Sequence, residues 1–275
     1  MISYLPSTLL CYNISMIEKL RNNDFSLVLS GGGALGISHL GILHDLEKEV
    51  LHPTEIIGTS MGGIVGACVA IGMKEPEIFD NIQKFNNLFN WMKFSLSGNA
   101  MIDNEKIALI FESLFGSRKM KDTDIPLKLI ATNLLNGHKR VFTVEDDVLI
   151  KDAILCTMAI PGIFEEHVVD GEVYGDGFLC ENLGIREASC ETILAVDVLG
   201  ENSFEKEMPD NFFKTANMME MFEKSVRLLI YNQSKSHIAC STKDILLIEP
   251  ETKGYKTFSF HKYKEIRKLG LGLLK

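Results

Sequence analysis

A single α/β domain, built on a mostly parallel central sheet covered by helices, is the fold class this sequence predicts. Two patterns and one absence point to it. Short apolar runs alternate with segments of helical periodicity, the order that builds parallel strands joined by crossover helices. The first two runs end in glycine-containing turns that lead directly into helical segments. No internal repeat, low-complexity tract or Pro/Gly-rich linker divides the 275 residues, a length that one α/β domain commonly reaches. Residues 1–24 read as an N-terminal extension and residues 25–275 as the domain.

The elements follow in order. Ser26–Ser30 (SLVLS) is short, apolar and followed at once by glycines, as a buried parallel strand would be. Leu35–Val50 sets Leu40, Leu43, Leu46 and Val50 at helical spacing and stops before His52-Pro53. Glu55–Gly58 is a second strand. Met61–Met73 (MGGIVGACVAIGM) is apolar all round and rich in small residues, so it reads as a buried helix packed close to its neighbours. Further strands are expected at Leu127–Thr132, Val141–Val144, Ile193–Val198 and Ile245–Ile248. Helices are expected at Glu77–Asn90, Asn104–Phe115, Phe212–Ser234 and Phe260–Leu269.

Composition narrows the functional classes. Hydrophobic residues at 46% and charged residues at 24% exclude a disordered or collagen-like chain. A formal net charge of −9 disfavours nucleic acid as a partner. It also offers no attraction to an anionic membrane, so transient contact with such a surface has to be made by apolar side chains. The cysteines (Cys11, Cys68, Cys156, Cys180, Cys190, Cys240) form no CxxC pair and no zinc-like cluster, which favours a reduced, cytoplasmic setting. The opening residues lack early basic charge, and Pro6, Ser7 and Asn13 break their apolar run, so no signal peptide is expected. With no apolar stretch of about 18 residues, a soluble protein is expected, peripheral at membranes where it meets them.

Three short patterns carry chemistry. Gly31-Gly32-Gly33-Ala34-Leu35-Gly36 lies between a strand and a helix. Glycines there let the backbone turn sharply and present N–H groups beside a helix N-terminus, a nest for a phosphate or for the oxyanion of acyl transfer. The pattern also matches GxGxxG, but a dinucleotide site needs a carboxylate at the end of the next strand, and that strand ends in Gly58-Thr59-Ser60. The second pattern, Gly58-Thr59-Ser60-Met61-Gly62, is a GxSxG at a strand-to-helix junction. Small residues flank the serine as a nucleophile elbow requires, although an ordinary N-cap serine would look similar. The third, Asp176-Gly177, is in isolation only a turn, as is Asp170-Gly171 upstream.

Taken in order and spacing, these segments resemble the patatin-like phospholipases, lipid acyl hydrolases that use a Ser–Asp dyad. The resemblance runs from about Phe25 to Leu269. It includes LSGGGALGISHLGIL, IIGTSMGGIVGA, ATNLLNGHKRVFT and DAILCTMAIPGIFEEHVVDGEVYGDGFLCENLG, with ILAVDVLG and Gly270 towards the end. It implies a patatin-like sheet related to the α/β-hydrolase architecture, with Ser60 as nucleophile and Asp176 as general base. It further implies an oxyanion hole built from Gly31, Gly32, Gly33 and Gly36, with Gly58, Gly62 and Gly177 supporting the motifs. No cofactor or metal is implied, and the expected partner is a lipid ester such as a phospholipid or lysophospholipid. Two positions depart from the family pattern. Leu35 stands where Arg or Lys is usual, and Phe178 stands where Gly or Ala usually follows the Asp-Gly pair. The first bears on headgroup preference and the second on acyl-chain preference.

Histidines offer the contrast with an ordinary Ser–acid–His triad. Only His237 and His261 follow Asp176, both in polar sequence that reads as solvated surface; His39 reads as packed or capping, and His44, His52, His138 and His167 lack ligand spacing. Phe79–Leu96 carries an amphipathic run that reads as core packing or as a lid over an acyl groove. Phe212–Ile230, with Met218, Met219 and Met221, reads as core in the same way. Two rivals stay open: a carboxylesterase or thioesterase for soluble esters, and a lipid- or nucleotide-binding protein that performs no turnover.

Overall fold

The computed structural model describes residues 16–83, 104–204 and 215–274. Most of the expected extension, the part of the Phe79–Leu96 segment beyond residue 83 with Trp91 and Phe94, and the start of the Phe212–Ile230 segment lie outside them.

An eight-stranded sheet runs through the middle. Strands β1 (Phe25–Leu29), β2 (Glu55–Thr59), β3 (Leu127–Asn133), β7 (Thr192–Val196) and β8 (Asp244–Ile248) are parallel to their neighbours along the order β3-β2-β1-β7-β8. Strands β4 (Lys139–Phe142), β5 (His167–Val169) and β6 (Glu172–Asp176) pair antiparallel. The apolar runs look continuous because both faces are covered. Leu27, Leu29, Ile56, Leu129, Leu194 and Val196 enter the larger core, while Val28, Ile57, Ile130, Ile193 and Ala195 enter a second core on the opposite face.

The larger core is closed by α2 (His39–Lys48), α3 (Met61–Ala70), α4 (residues 75–83), α5 (Asn104–Phe115), α6 (Ile150–Met158) and α8 (Tyr263–Lys268). Helix α1 (residues 16–22) belongs to it too: Met16 and Leu20 are buried there, so this end of the expected extension packs as part of the domain. The second core lies under residues 183–188 and takes Ile238 from the long helix α7 (Thr215–Cys240). No helix among the described residues is long and apolar enough to cross a membrane.

The edge hairpin β5–β6 and helix α6 are elements that the periodicity did not predict. The hairpin turns at Asp170 and Gly171, whose φ values of 53° and 80° suit the two-residue turn that matches strand twist. Strand β4 begins at Lys139, two residues before the expected Val141, because Lys139 and Arg140 pair outward with carboxylates and still carry the ladder.

Candidate active site

The sheet itself brings Ser60 and Asp176 together. Strand β2 pairs with β3 only as far as Thr59 against Ile130, and β6 takes over with Asp176 against Ala131. Strand β4 spans Leu129–Thr132 and therefore fills the other edge of β3. One edge of β3 thus holds the ends of β2 and β6 in succession, delivering Ser60 and Asp176 from opposite directions to one point.

Ser60 sits in a sharp elbow with φ 53° and ψ −123°. A non-glycine residue in this region costs about 1–3 kcal/mol and persists only where its surroundings over-determine it. Here the constraint is close backbone packing. A Cβ on Gly58 would lie 2.5 Å from Gly63 Cα, and one on Gly62 only 2.3 Å from the Leu29 carbonyl oxygen. The Ser60 carbonyl accepts from Ile64 N–H at 3.0 Å, starting α3.

The C-terminal end of α6 ties down both candidate residues. Thr157 Oγ1 accepts from Ser60 N–H at 2.9 Å and donates to the Ile130 carbonyl. Two residues on, just past the end of the helix, the Ala159 carbonyl accepts from Asp176 N–H at 2.8 Å. Thr157→Val keeps the volume but strands the Ser60 N–H and weakens the support of Ile130. Two buried groups then lack partners, so a loss of at least about 1–3 kcal/mol is expected in urea unfolding. Labelling of Ser60 by a fluorophosphonate should slow along with it. Unchanged stability and labelling would show that Thr157 holds nothing.

Asp176 is fully buried, and burial pushes its carboxyl up from the ordinary aspartate range to about 7, against pulls from the Phe178 N–H and the Ser60 side chain. Oδ1 accepts from Phe178 N–H at 3.0 Å, while Oδ2 closes no hydrogen bond. Ser60 is thus near enough to favour the charged carboxylate, although it closes no hydrogen bond to Oδ2. The Asp176 carbonyl accepts from Thr132 Oγ1 at 3.0 Å. Gly177 passes so close to β3 that a Cβ there would lie 2.2 Å from the Ile130 carbonyl oxygen. Phe178 packs half-buried against the larger core.

The glycine loop lies directly beside Ser60. A Cβ on Gly31 would be 3.1 Å from Ser60 Cβ. Asn182 clamps Gly31 at both ends: its carbonyl accepts from Gly31 N–H at 3.3 Å and its side-chain amide donates to the Gly31 carbonyl at 3.3 Å. The Gly31 amide is thus already engaged, whereas Gly32 and Gly33 N–H meet no protein acceptor among the described residues. Gly33, at φ +57°, opens a short 3-10 helix over Gly33–Ser38. Gly36 stands against Met61, leaving no room for a Cβ, and is a packing position. Leu35, where the family pattern has a cation, is buried in the larger core.

The histidines have other partners. His39 is buried with Nε2 2.9 Å from the Ser30 carbonyl oxygen, and burial lowers it to about 4, so it is neutral. His44 lies beside Glu75, and His167 against Asp152. His237 corrects the expectation of a solvated surface residue. Its side chain is only 16% exposed, with Nδ1 3.6 Å from Oε1 of fully buried Glu181. Polar sequence neighbours hid this, because the burial comes from packing against Glu181, far away in the chain. Glu181 also meets Lys139 and Arg186, and its carbonyl accepts from Thr59 Oγ1, so this network braces the elbow from below. No group of three or more His, Cys, Asp or Glu among the described residues is arranged to hold a metal ion.

Thr157, Ala159 and Asn182 escaped the sequence reading. The signal for Asn182 was present in its nearness to Asp176, but the α6 contacts depend on a helix that the periodicity missed.

The family model for patatin-like phospholipases matches residues 27–189. The chain is 25% identical over 284 residues to a protein named lysophospholipase NTE1 from Debaryomyces hansenii, covering 94% of this chain and 18% of that protein. It is 27% identical to the Candida glabrata protein of the same name, covering 94% and 16%. The chain therefore spans less than a fifth of the length of these curated relatives. Among solved structures, VipD from Legionella pneumophila overlays 92% of this chain and 66% of its own at 14% identity, with a TM-score of 0.44.

Proposed function

Since this chain belongs to the patatin-like phospholipase family, we propose that it is a serine acyl hydrolase cleaving fatty-acyl esters of phospholipids or lysophospholipids. The observation that carries the proposal is the shared edge of β3, where β2 and β6 end with Ser60 beside Asp176. In this mechanism Asp176 accepts the Ser60 proton as Oγ attacks the ester carbonyl carbon. The developing oxyanion is held by the free amides of Gly32 and Gly33, joined by the amide after the nucleophile, Met61 N–H. The proton passes to the departing alkoxide, leaving an acyl-serine. Water then loses a proton to Asp176, attacks the acyl carbon and releases the fatty acid with Ser60 restored. Neither metal nor organic cofactor enters any step.

The substrate reaches the site from a lipid surface that the protein touches transiently and peripherally. Exposed leucines support this. Leu134 abuts Gly175, the residue before Asp176, with Leu135 next to it. Leu179 follows shortly after Asp176, and Cys180 Sγ bonds the carbonyl of Gly137 in the same β3–β4 turn. Gln233 of α7 holds the Cys180 carbonyl, so Leu229, one turn earlier on that helix, extends the rim. At net charge −9, apolar side chains supply the attraction.

The test pairs lysophospholipid micelles with a soluble short-chain ester. Wild type should turn over the micelles and label with a fluorophosphonate probe; absence of labelling would make it a binding protein, and activity on the soluble ester alone would make it a general esterase. Leu135→Ser combined with Leu179→Ser should cost about tenfold on micelles, within the loss expected for two buried leucines, and less than about twofold on the soluble ester. Equal losses on both substrates would remove the interfacial role.

A further inference from the structure

We propose that Glu223, Arg227 and Thr257 are positioning residues that hold the glycine loop in its oxyanion-binding shape from outside the sheet; the inference rests on the acyl-hydrolase reading above. Asn182 braces the loop at Gly31, and Thr257 braces it beyond the two free amides. The Thr257 carbonyl accepts from Ala34 N–H at 2.8 Å, and the same oxygen lies 2.4 Å from where a Cβ on Gly33 would sit. Thr257 thus fixes the peptide that follows the two free amides.

Thr257 is fixed in turn by α7. Glu223 Oε1 accepts from Thr257 N–H at 3.2 Å and from Thr257 Oγ1 at 2.7 Å. Arg227 Nη2 donates to the same carboxylate oxygen at 2.9 Å, to Thr257 Oγ1 at 3.2 Å and to the Tyr255 carbonyl at 3.2 Å. The carboxylate is held ionised: burial opposes this, but Arg227 and the Thr257 bonds outweigh it and lower its pKa. Glu223 and Arg227 stand one turn apart on the helix, so one face of α7 presents both charges to one threonine. Leu35 leaves this glycine loop without a cation of its own. The arginine here reaches the loop indirectly, through Thr257, and acts on amide placement rather than on substrate charge.

An oxyanion brace affects the transition state more than the bound ester. Glu223→Ala and Thr257→Val should lower kcat on a soluble short-chain ester about tenfold while KM stays within about twofold. Glu223→Gln keeps an acceptor oxygen towards Thr257 and should recover to within about threefold of wild type. A trifluoromethyl ketone, which adds to Ser60 as an oxyanion, should lose affinity in step with kcat/KM in the first two variants. The corresponding ether, which cannot form the adduct, should bind them as it binds wild type. Active-site titration with a fluorophosphonate corrects each rate for correctly folded enzyme. Should Glu223→Ala not fold, Thr257→Val and Arg227→Lys carry the comparison. The proposal is overturned if corrected kcat and ketone affinity stay within twofold of wild type in Thr257→Val, or if ketone and ether lose affinity equally. A wild-type protein that binds no ketone and takes no probe would instead overturn the hydrolase reading, and this inference with it.

Discussion

Ser60→Ala should leave the fold intact and lose ester hydrolysis and fluorophosphonate labelling together. The change removes one hydroxyl from a buried elbow. The Ser60 amide keeps its bond to Thr157 and the Ser60 carbonyl keeps its bond to Ile64, so α3 still starts in place. On the proposed mechanism the variant has no nucleophile and forms no acyl-enzyme, so a fall of about 10³-fold or more in kcat is expected. The companion variant Ser60→Gly separates chemistry from strain. At φ 53° alanine is as strained as serine, whereas glycine adopts that region freely, so the glycine protein should be the more stable of the two. Turnover above a few per cent of wild type in pure Ser60→Ala would point to a different nucleophile.

Much of this geometry was legible in the sequence, and the reasons are local. The five parallel strands show as apolar runs because each is buried on both faces, with Val28 and Leu29, or Ile56 and Ile57, facing opposite cores. The elbow was legible because a strained serine needs glycines at fixed offsets, and Gly58 and Gly62 meet backbone at distances no Cβ could occupy. The helix over Asn104–Phe115 carries an amphipathic period that needs no partner to be seen.

What stayed hidden is non-local. Taken alone, Asp176 reads as a turn residue until β6 pairs with β3, and β5 and β6 are short antiparallel strands beyond β3 bearing His167, Glu172 and Asp176 instead of an apolar run. The Asp170-Gly171 turn was the available sign of that hairpin, since alternating residues flank an Asp-Gly pair. Helix α6 lies between polar turns and was missed, and with it the two bonds by which Thr157 and Ala159 align Ser60 and Asp176. His237 shows the limit from the other side. Its sequence surroundings are polar, yet the fold packs it, mostly covered, against Glu181.

Asp176→Asn should abolish nearly all turnover and at the same time make the protein more stable above pH 7. Asparagine is nearly isosteric and can still accept from Phe178 N–H and hydrogen-bond Ser60, but it cannot take up the serine proton. Loss of a general base is worth about 10²–10⁴ in rate. The stability gain follows from burial. The carboxyl is raised to about 7 in the fold and titrates near its ordinary value when the chain unfolds, so the folded protein binds the extra proton between those two points. The native state therefore loses stability as pH climbs through that window and carries the full penalty above about pH 7. A difference of that size corresponds to about 4 kcal/mol, which asparagine, having no charge to bury, does not lose. Urea unfolding from pH 4 to pH 9 should show the two proteins converging at the acid end and the variant ahead at the alkaline end. The wild-type kcat/KM should rise towards a plateau above about pH 7, where the base is ionised. His237→Ala and His261→Ala serve as controls and should stay within about threefold of wild type once corrected for folded fraction. If Asp176→Asn keeps its activity while a histidine variant loses it, the serine takes its proton partner from imidazole, and the carboxylate is a buried structural group.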